Sequence, residues 1–369
     1  MSEASLPPAK QGSKFLILEL GRFIAASLVV LTHLVPQIND YAMPGGQSLF
    51  HGWRPPGAIG VQYFFVLSGF VMMTAHIKDF GKLNAVWRFW WRRACRIYPV
   101  YWLALLIPLY YLYRSLTPLL SFQIFSLAPG VQANFIPPAW TLRYEVEFYL
   151  MFGLCLLPKI GKPFLLLWFL LTFWGWATPE MIQFLHMPSP AYLDTWLWGW
   201  KLVFISSFNF YFFAGLAVGF IYRKCCPNGV VSSVLLLLGL WVVLDHMPAI
   251  DWGNGYGSPG IMMIVAPALA LILLGLVGLE QCGWLKLSRH CGFAGAVSYP
   301  LYIFHTALML VIASSLPKLH LHLFGLVVCF LLELGIIYAV AGLVTRYFDQ
   351  PLQKFLRTLF KPKKQASLG

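Results

Sequence analysis

Stretches of about twenty apolar residues recur near 15–36, 58–77, 98–117, 139–158, 162–178, 200–221, 231–246, 259–279, 293–315 and 322–345. As helices, segments of this length match the hydrocarbon thickness of a bilayer. Only helices and closed barrels can satisfy their own backbone polar groups there. The 369-residue chain is 59% hydrophobic and 11% charged, whereas a soluble domain has roughly 25% charged residues. The expected fold is therefore an all-α integral membrane protein with about ten transmembrane helices. Residues 1–14 are polar and lack the cationic start and cleavage site of a signal peptide. The expected organisation is a tail over 1–14, one membrane domain over 15–347 and a basic tail over 348–369, with no internal repeat.

The net charge of +13 raises the question of a nucleic-acid partner, but its distribution answers against one. Lys10 and Lys14, Lys78 through Arg96, Lys159 and Lys162, Arg223 and Lys224, Lys286 and Arg289, and Arg346 through Lys364 fall in alternate connections. The intervening loops carry mainly Arg54 and Lys318, with Asp40, Glu180, Asp194, Asp245 and Asp251. By the positive-inside rule both termini are expected in the cytoplasm, with membrane lipids as the surrounding partner. None of the seven cysteines lies in an expected outer loop, which argues against disulfides.

Ionisable residues inside these segments are costly and point to function. Arg22 and His33 share the first segment, eleven residues apart. At about 100° and 1.5 Å per residue they lie on one helix face, roughly 16 Å apart along the axis. In the fourth segment, Arg143, Glu145 and Glu147 fall within five residues. Arg143 and Glu147, at i and i+4, are expected to pair. Glu145 points elsewhere, and its inferred depth near the outer boundary makes His33 its expected partner. A carboxylate on one imidazole nitrogen would raise the basicity of the other, as a general base requires.

The third constellation holds Arg88, Arg92, Arg93 and Arg96, four arginines in nine residues at the expected cytoplasmic side. Arg93 and Arg96, at i and i+3, present two guanidinium forks suited to phosphate oxygens. Positive-inside anchoring also explains basic residues here, although lysine would serve that purpose equally well. Ser68 and Gly69 in the second segment permit close helix approach. In the ninth, Pro300 is expected to kink the helix, and His305 is an intramembrane imidazole for which structural and catalytic roles stand open. No metal-ligand cluster, nucleotide-binding glycine loop or nucleophile elbow occurs.

Taken together, these stretches resemble the acyltransferase 3 family of multi-spanning membrane O-acyltransferases. Arg22-x10-His33, with Glu19 three residues earlier, is similar to its first-span signature. Gly60-Val61 with Phe64 through Phe70 resembles its second-span motif, and Arg93-x-x-Arg96-Ile97-x-Pro99 its cytoplasmic motif. Trp140-Thr141-Leu142-x-x-Glu145-x-x-Phe148-Tyr149 and Ser298-Tyr299-Pro300-x-Tyr302-x-x-His305 are similar to two further motifs, and Phe348 through Phe355 to the closing segment. The chain reads Leu20-Gly21 where the family usually reads Gly-Leu, and a single-domain member, without the hydrolase-like domain that some members carry, is expected.

The resemblance implies transfer of an acyl group, often acetyl, from cytoplasmic acyl-CoA to a hydroxyl of a glycan or lipid-linked saccharide at the outer face. It also implies a bacterial inner membrane, with acyl-CoA as co-substrate and no bound cofactor. His33, Glu145 and Arg22 are the expected catalytic residues; Arg93, Arg96 and Arg92 are expected to bind the donor. Arg143, Glu147, Tyr149, Ser68, Tyr299 and His305 are expected in support. General-base action by His33 and an acyl-histidine intermediate are equally compatible with the sequence. Loops 37–57, 118–138 and 179–199 are expected to select the acceptor. The rival reading is a glycan or lipid transporter or flippase, in which the buried charges line a conduit.

Overall fold

A computed structural model of the chain describes residues 15–114, 121–128, 135–177, 204–249, 259–315 and 319–359. Of the loops named above, 179–199 lies outside the described residues and 118–138 is described only at 121–128 and 135–138. Described secondary structure is helical except for a bridge between Ala42 and Leu321. In chain order the helices are α1 (Leu16–Asn39), α2 (Gly57–His76), α3 (Leu83–Pro108), α4 (Phe122–Ser126), α5 (Ala139–Cys155) and α6 (Gly161–Ala177). They continue with α7 (Phe208–Lys224), α8 (Gly229–His246), α9 (Pro259–Gln281), α10 (His290–Ser315), α11 (Leu323–Val344) and α12 (Gln350–Leu359).

Among the described residues six segments are long and apolar enough to cross a membrane: Leu16–Asn39, Gly57–Asp79, Gly229–His246, Gly260–Gln281, His290–Ser315 and Leu323–Leu356. The chain is thus a multi-pass membrane protein. The four other expected spans correspond to α3, which carries four arginines between residues 88 and 96, to α5 with three charges in 17 residues, and to α6 and α7 at 17 residues each. Charge and length, not the absence of helix, separate these four from the six.

Helix α1 is the axis of the bundle and packs on α2, α10 and α11. Its first backbone N–H groups have no partner within the helix. The Glu280 carboxylate at the end of α9 receives them, from Leu16 N at 2.8 Å and Ile17 N at 2.9 Å. An anion at the positive end of the helix dipole is favourable. Helices α1 and α10 run parallel, because Glu19 packs on Gly295 near their starts while Gln37 reaches the Met309 carbonyl near their ends. Pro300 is accommodated within the continuous helix α10.

One close helix approach joins α2 to α7. A Cβ at Gly69 would sit 2.9 Å from Leu216 N and one at Gly215 would sit 2.9 Å from Phe70 N, so the two backbones touch through these glycines. Around that contact, Phe148 stacks on Phe212 at 4.6 Å, and Trp168 meets Phe213 at 4.8 Å, filling the space between α5, α6 and α7. Substituting Gly215→Leu should therefore destabilise by about 1–3 kcal/mol through overpacking. Gly335→Ala, whose added Cβ has open space, should not. Thermal unfolding in detergent micelles should show a lowered midpoint for the first variant alone.

Candidate functional site

A pocket opens where α1, α2, α3, α5 and α10 converge. Its wall includes Arg22 from α1, Ser68 and Met72 from α2, Arg93 and Arg96 from α3, Thr141, Glu145 and Tyr149 from α5, and Ser298, Tyr299 and Tyr302 from α10. Helical spacing explains this convergence. Arg93 and Arg96 share a face of α3, Glu145 and Tyr149 share a face of α5, and Ser298 and Tyr302 share a face of α10.

Each arginine is held by a neighbour. The Arg93 guanidinium lies over the rings of Phe89 and Tyr149, at 5.5 and 5.1 Å from their centroids, a cation–π arrangement that fixes its plane. Arg96 donates to Asp349 Oδ2 at 3.0 Å and lies over Tyr299 at 5.5 Å. Arg22 pairs with Glu19 at 3.6 Å. Tyr149 donates to Glu145, which with Arg22 also lies in the electrostatic surroundings of Arg93. The Tyr299 hydroxyl donates to the Ile97 carbonyl at 2.7 Å, tying α10 to α3. Among the described residues the wall carries three guanidinium groups and one carboxylate, that of Glu145, and guanidinium forks of this kind are chemically suited to phosphate oxygens.

Asp349 was not among the expected site residues. It is 2% exposed and sits in a π-turn at Thr345–Asp349, the kind of helix irregularity found often at functional sites. Gln353 donates to the Cys95 carbonyl at 2.6 Å, so the segment after α11 docks on α3 through two contacts. The likeness of Phe348 through Phe355 to the family's closing segment is the sequence signal that could have found Asp349.

Farther along α1, the His33 ring lies against His305 of α10. His33 Nδ1 is 2.9 Å from the Val29 carbonyl oxygen and 3.3 Å from His305 Nε2. His305 is fully buried, whereas His33 is open on one side. Tyr302 links this pair to the pocket: its ring flanks His305 and its hydroxyl meets Thr141 Oγ1 at 2.8 Å.

Three expectations about contacts differ from this geometry. Glu145 lies in the arginine pocket, and its described bond is to Tyr149, not His33. The Thr141–Tyr302 bond sets the first turn of α5 about one turn below His305, which puts Glu145 roughly 10 Å below the histidine level. The expected contact required α1 and α5 to be neighbours, whereas α5 packs chiefly on α3 and α6. The expected Arg143–Glu147 pair does not form. Glu147 is 1% exposed with neither carboxylate oxygen bonded among the described residues, while Arg143 has Tyr101 of α3 in its electrostatic surroundings. Arg92, finally, is exposed on α3 and is absent from the pocket wall formed by Arg93 and Arg96.

Among the described residues no group of three or more His, Cys, Asp or Glu side chains is arranged to hold a metal ion. A family model described as an acyltransferase domain matches residues 15–345. The exopolysaccharide production protein ExoZ of Rhizobium meliloti is 26% identical over 279 residues, covering 70% of this chain and 78% of that protein. The acyltransferase MdmB of Streptomyces mycarofaciens is 32% identical over 148 residues, 36% of this chain and 37% of its own length. No solved structure matches.

Because Asp349 anchors one of the pocket's arginines, Asp349→Asn should loosen Arg96 without changing its charge. Losing one charge-assisted bond at a part-exposed site is worth about 1 kcal/mol. An anionic donor should then bind roughly fivefold more weakly, and calorimetric titration of the purified variant would measure it. Equal affinity would reduce Asp349 to a structural tie.

Proposed function

Since the chain belongs to the acyltransferase family whose domain model spans residues 15–345, we propose that it transfers an acyl group, acetyl being the leading candidate, from cytoplasmic acyl-CoA to a sugar hydroxyl at the outer face. In this reading both termini are cytoplasmic, ten helices cross the membrane, and the membrane is the bacterial inner membrane, in keeping with the alternating basic connections. A glycan or lipid-linked saccharide as acceptor is in keeping with the relative named for exopolysaccharide production.

The observation that carries this reading is the placement of Arg22, Arg93 and Arg96 on one wall, with His33 on the same helix face as Arg22 and roughly 16 Å outward. The donor's phosphates sit against Arg93 and Arg96, held ready by Phe89, Tyr149 and Asp349. Its flexible arm runs past Arg22 and Tyr302 and brings the thioester to His33. There the acceptor hydroxyl oxygen attacks the thioester carbonyl carbon while its proton passes to His33 Nε2. The carbon–sulfur bond breaks and the leaving thiolate takes that proton from the His33 imidazolium, giving the CoA thiol and restoring neutral His33. Glu145 acts from within the pocket by holding the Tyr149 hydroxyl, and thereby the ring beneath Arg93. Loop 37–57, which leads from the end of α1 to the start of α2 beside Thr32, forms part of the acceptor side.

Two variants separate donor binding from chemistry. His33→Ala should abolish transfer, by at least about 100-fold, while leaving the donor Kd within twofold. Arg93→Glu with Arg96→Glu should raise the donor KM more than tenfold, the loss expected from removing phosphate contacts. Radiolabelled acyl transfer in membrane vesicles and donor binding by purified protein are the measurements. Full transfer by His33→Ala would remove the base assignment. An unchanged donor KM in the double variant would return the arginines to membrane anchoring.

A further inference from the structure

The partner expected behind His33 was a carboxylate, and the structure supplies a second imidazole instead. Hydrogen-bond chemistry fixes which nitrogens carry hydrogen. A carbonyl oxygen only accepts, so His305 Nδ1, 2.8 Å from the Tyr302 carbonyl, must be an N–H. In neutral His305 the electron pair is therefore on Nε2. That atom lies 3.3 Å from His33 Nδ1, which is also 2.9 Å from the Val29 carbonyl. Both neighbours of His33 Nδ1 are acceptors, so Nδ1 carries a shared hydrogen and the free electron pair of His33 is on Nε2, the other side of the ring.

We propose that His305 is a positioning residue that accepts the Nδ1 hydrogen of His33, holding His33 Nε2 as the reacting nitrogen and stabilising the imidazolium formed when Nε2 takes the acceptor proton. This rests on the reading of His33 as the base. Before proton transfer the bond from His33 to His305 is between neutral groups and long. Once Nε2 is protonated the donor becomes cationic, and charge-assisted bonds are roughly twice as strong as neutral ones. The stabilisation therefore grows toward the transition state and is realised in the rate of transfer more than in ground-state binding. Burial keeps His305 from competing for the acceptor: it is 0% exposed, its Nδ1 is committed to its own helix, and its ring is flanked by Tyr302 at a centroid distance of 6.1 Å. The parallel packing of α1 on α10 sets the two rings 5.2 Å apart at 43°, and His33, unlike His305, is an exposed residue.

The test compares His305→Leu, which removes the acceptor, with His305→Gln, whose side-chain carbonyl can restore it. His305→Leu should lower kcat about 10- to 100-fold with the KM values of donor and acceptor unchanged within twofold, and His305→Gln should recover at least part of that loss. Nitrogen-15 spectra of histidine-labelled wild-type protein should show His33, assigned by its absence in His33→Ala, with a protonated Nδ1 and an unprotonated Nε2. The wild-type spectrum decides the tautomer even where His305→Leu fails to fold. Wild-type kcat in folded His305→Leu, with His33→Ala inactive, would overturn the role of His305 and leave the base reading in place. Activity in His33→Ala would overturn both. A wild-type spectrum with the hydrogen on Nε2 would overturn the proposed positioning.

Discussion

Everything near the site depends on the seam between α1 and α10. Parallel packing of these two helices brings Glu19 onto Gly295 at one end and His33 onto His305 farther along. The same seam carries Arg22, Ser298, Tyr299 and Tyr302 on its pocket side. Its lower end is fastened by Glu280 to the first turn of α1, its upper end by Gln37, which donates to Glu333 at 2.8 Å and reaches the Met309 carbonyl. Small residues make such an approach feasible where no hydrophobic effect drives helices together within lipid. A side chain at residue 295 would collide with Glu19, so the glycine is a requirement of the charge beside it.

Electrostatics then decides how three arginines can share one pocket. An isolated buried charge costs several kcal/mol, and a pair recovers that only with good geometry. Arg22 has Glu19, Arg96 has Asp349, and Arg93 has two aromatic faces with Glu145 close by. These partners come from four different helical segments, so the pocket depends both on pairs within a helix, Arg22 with Glu19 and Arg93 with Phe89, and on contacts between helices, Arg93 with Tyr149 and Arg96 with Asp349. Each of the three guanidinium groups thus has a partner of its own and still lines the pocket wall.

Much of this was legible in the sequence because polar residues in apolar segments are rare and conspicuous. Arg22, Ser68, Arg93, Arg96, Glu145, Tyr149 and Tyr299 were each singled out, and they do meet. Which helices neighbour one another is a property of long-range packing, and periodicity within one helix carries no information on it. Depth failed for a related reason: α5 begins level with Tyr302, so Glu145 lies beside Arg93 instead of His33. The i, i+4 spacing of Arg143 and Glu147 offered a pair, but Glu147 is buried with neither carboxylate oxygen bonded among the described residues, and Arg143 has Tyr101 and Tyr144 in its surroundings. Asp349 fell in a segment read as a basic tail, where its neighbours' charge masked it; a π-turn turns it back onto α3. The expected ten spans illustrate the same limit, since α3 and α5 carry the charges of the site and so lack the apolarity of the other six segments.

In the proposed reading an acyl donor extends from the arginine wall, which the pocket lining contains, to His33 farther along α1. A structure of the protein bound to a non-transferable thioether analogue of acyl-CoA tests this most directly. Phosphate groups against Arg93 and Arg96, with the thioether sulfur beside His33 Nε2, is the predicted result. Phosphates placed away from these two arginines, or an acyl end that stops at Glu145 and leaves His33 uncontacted, would contradict it.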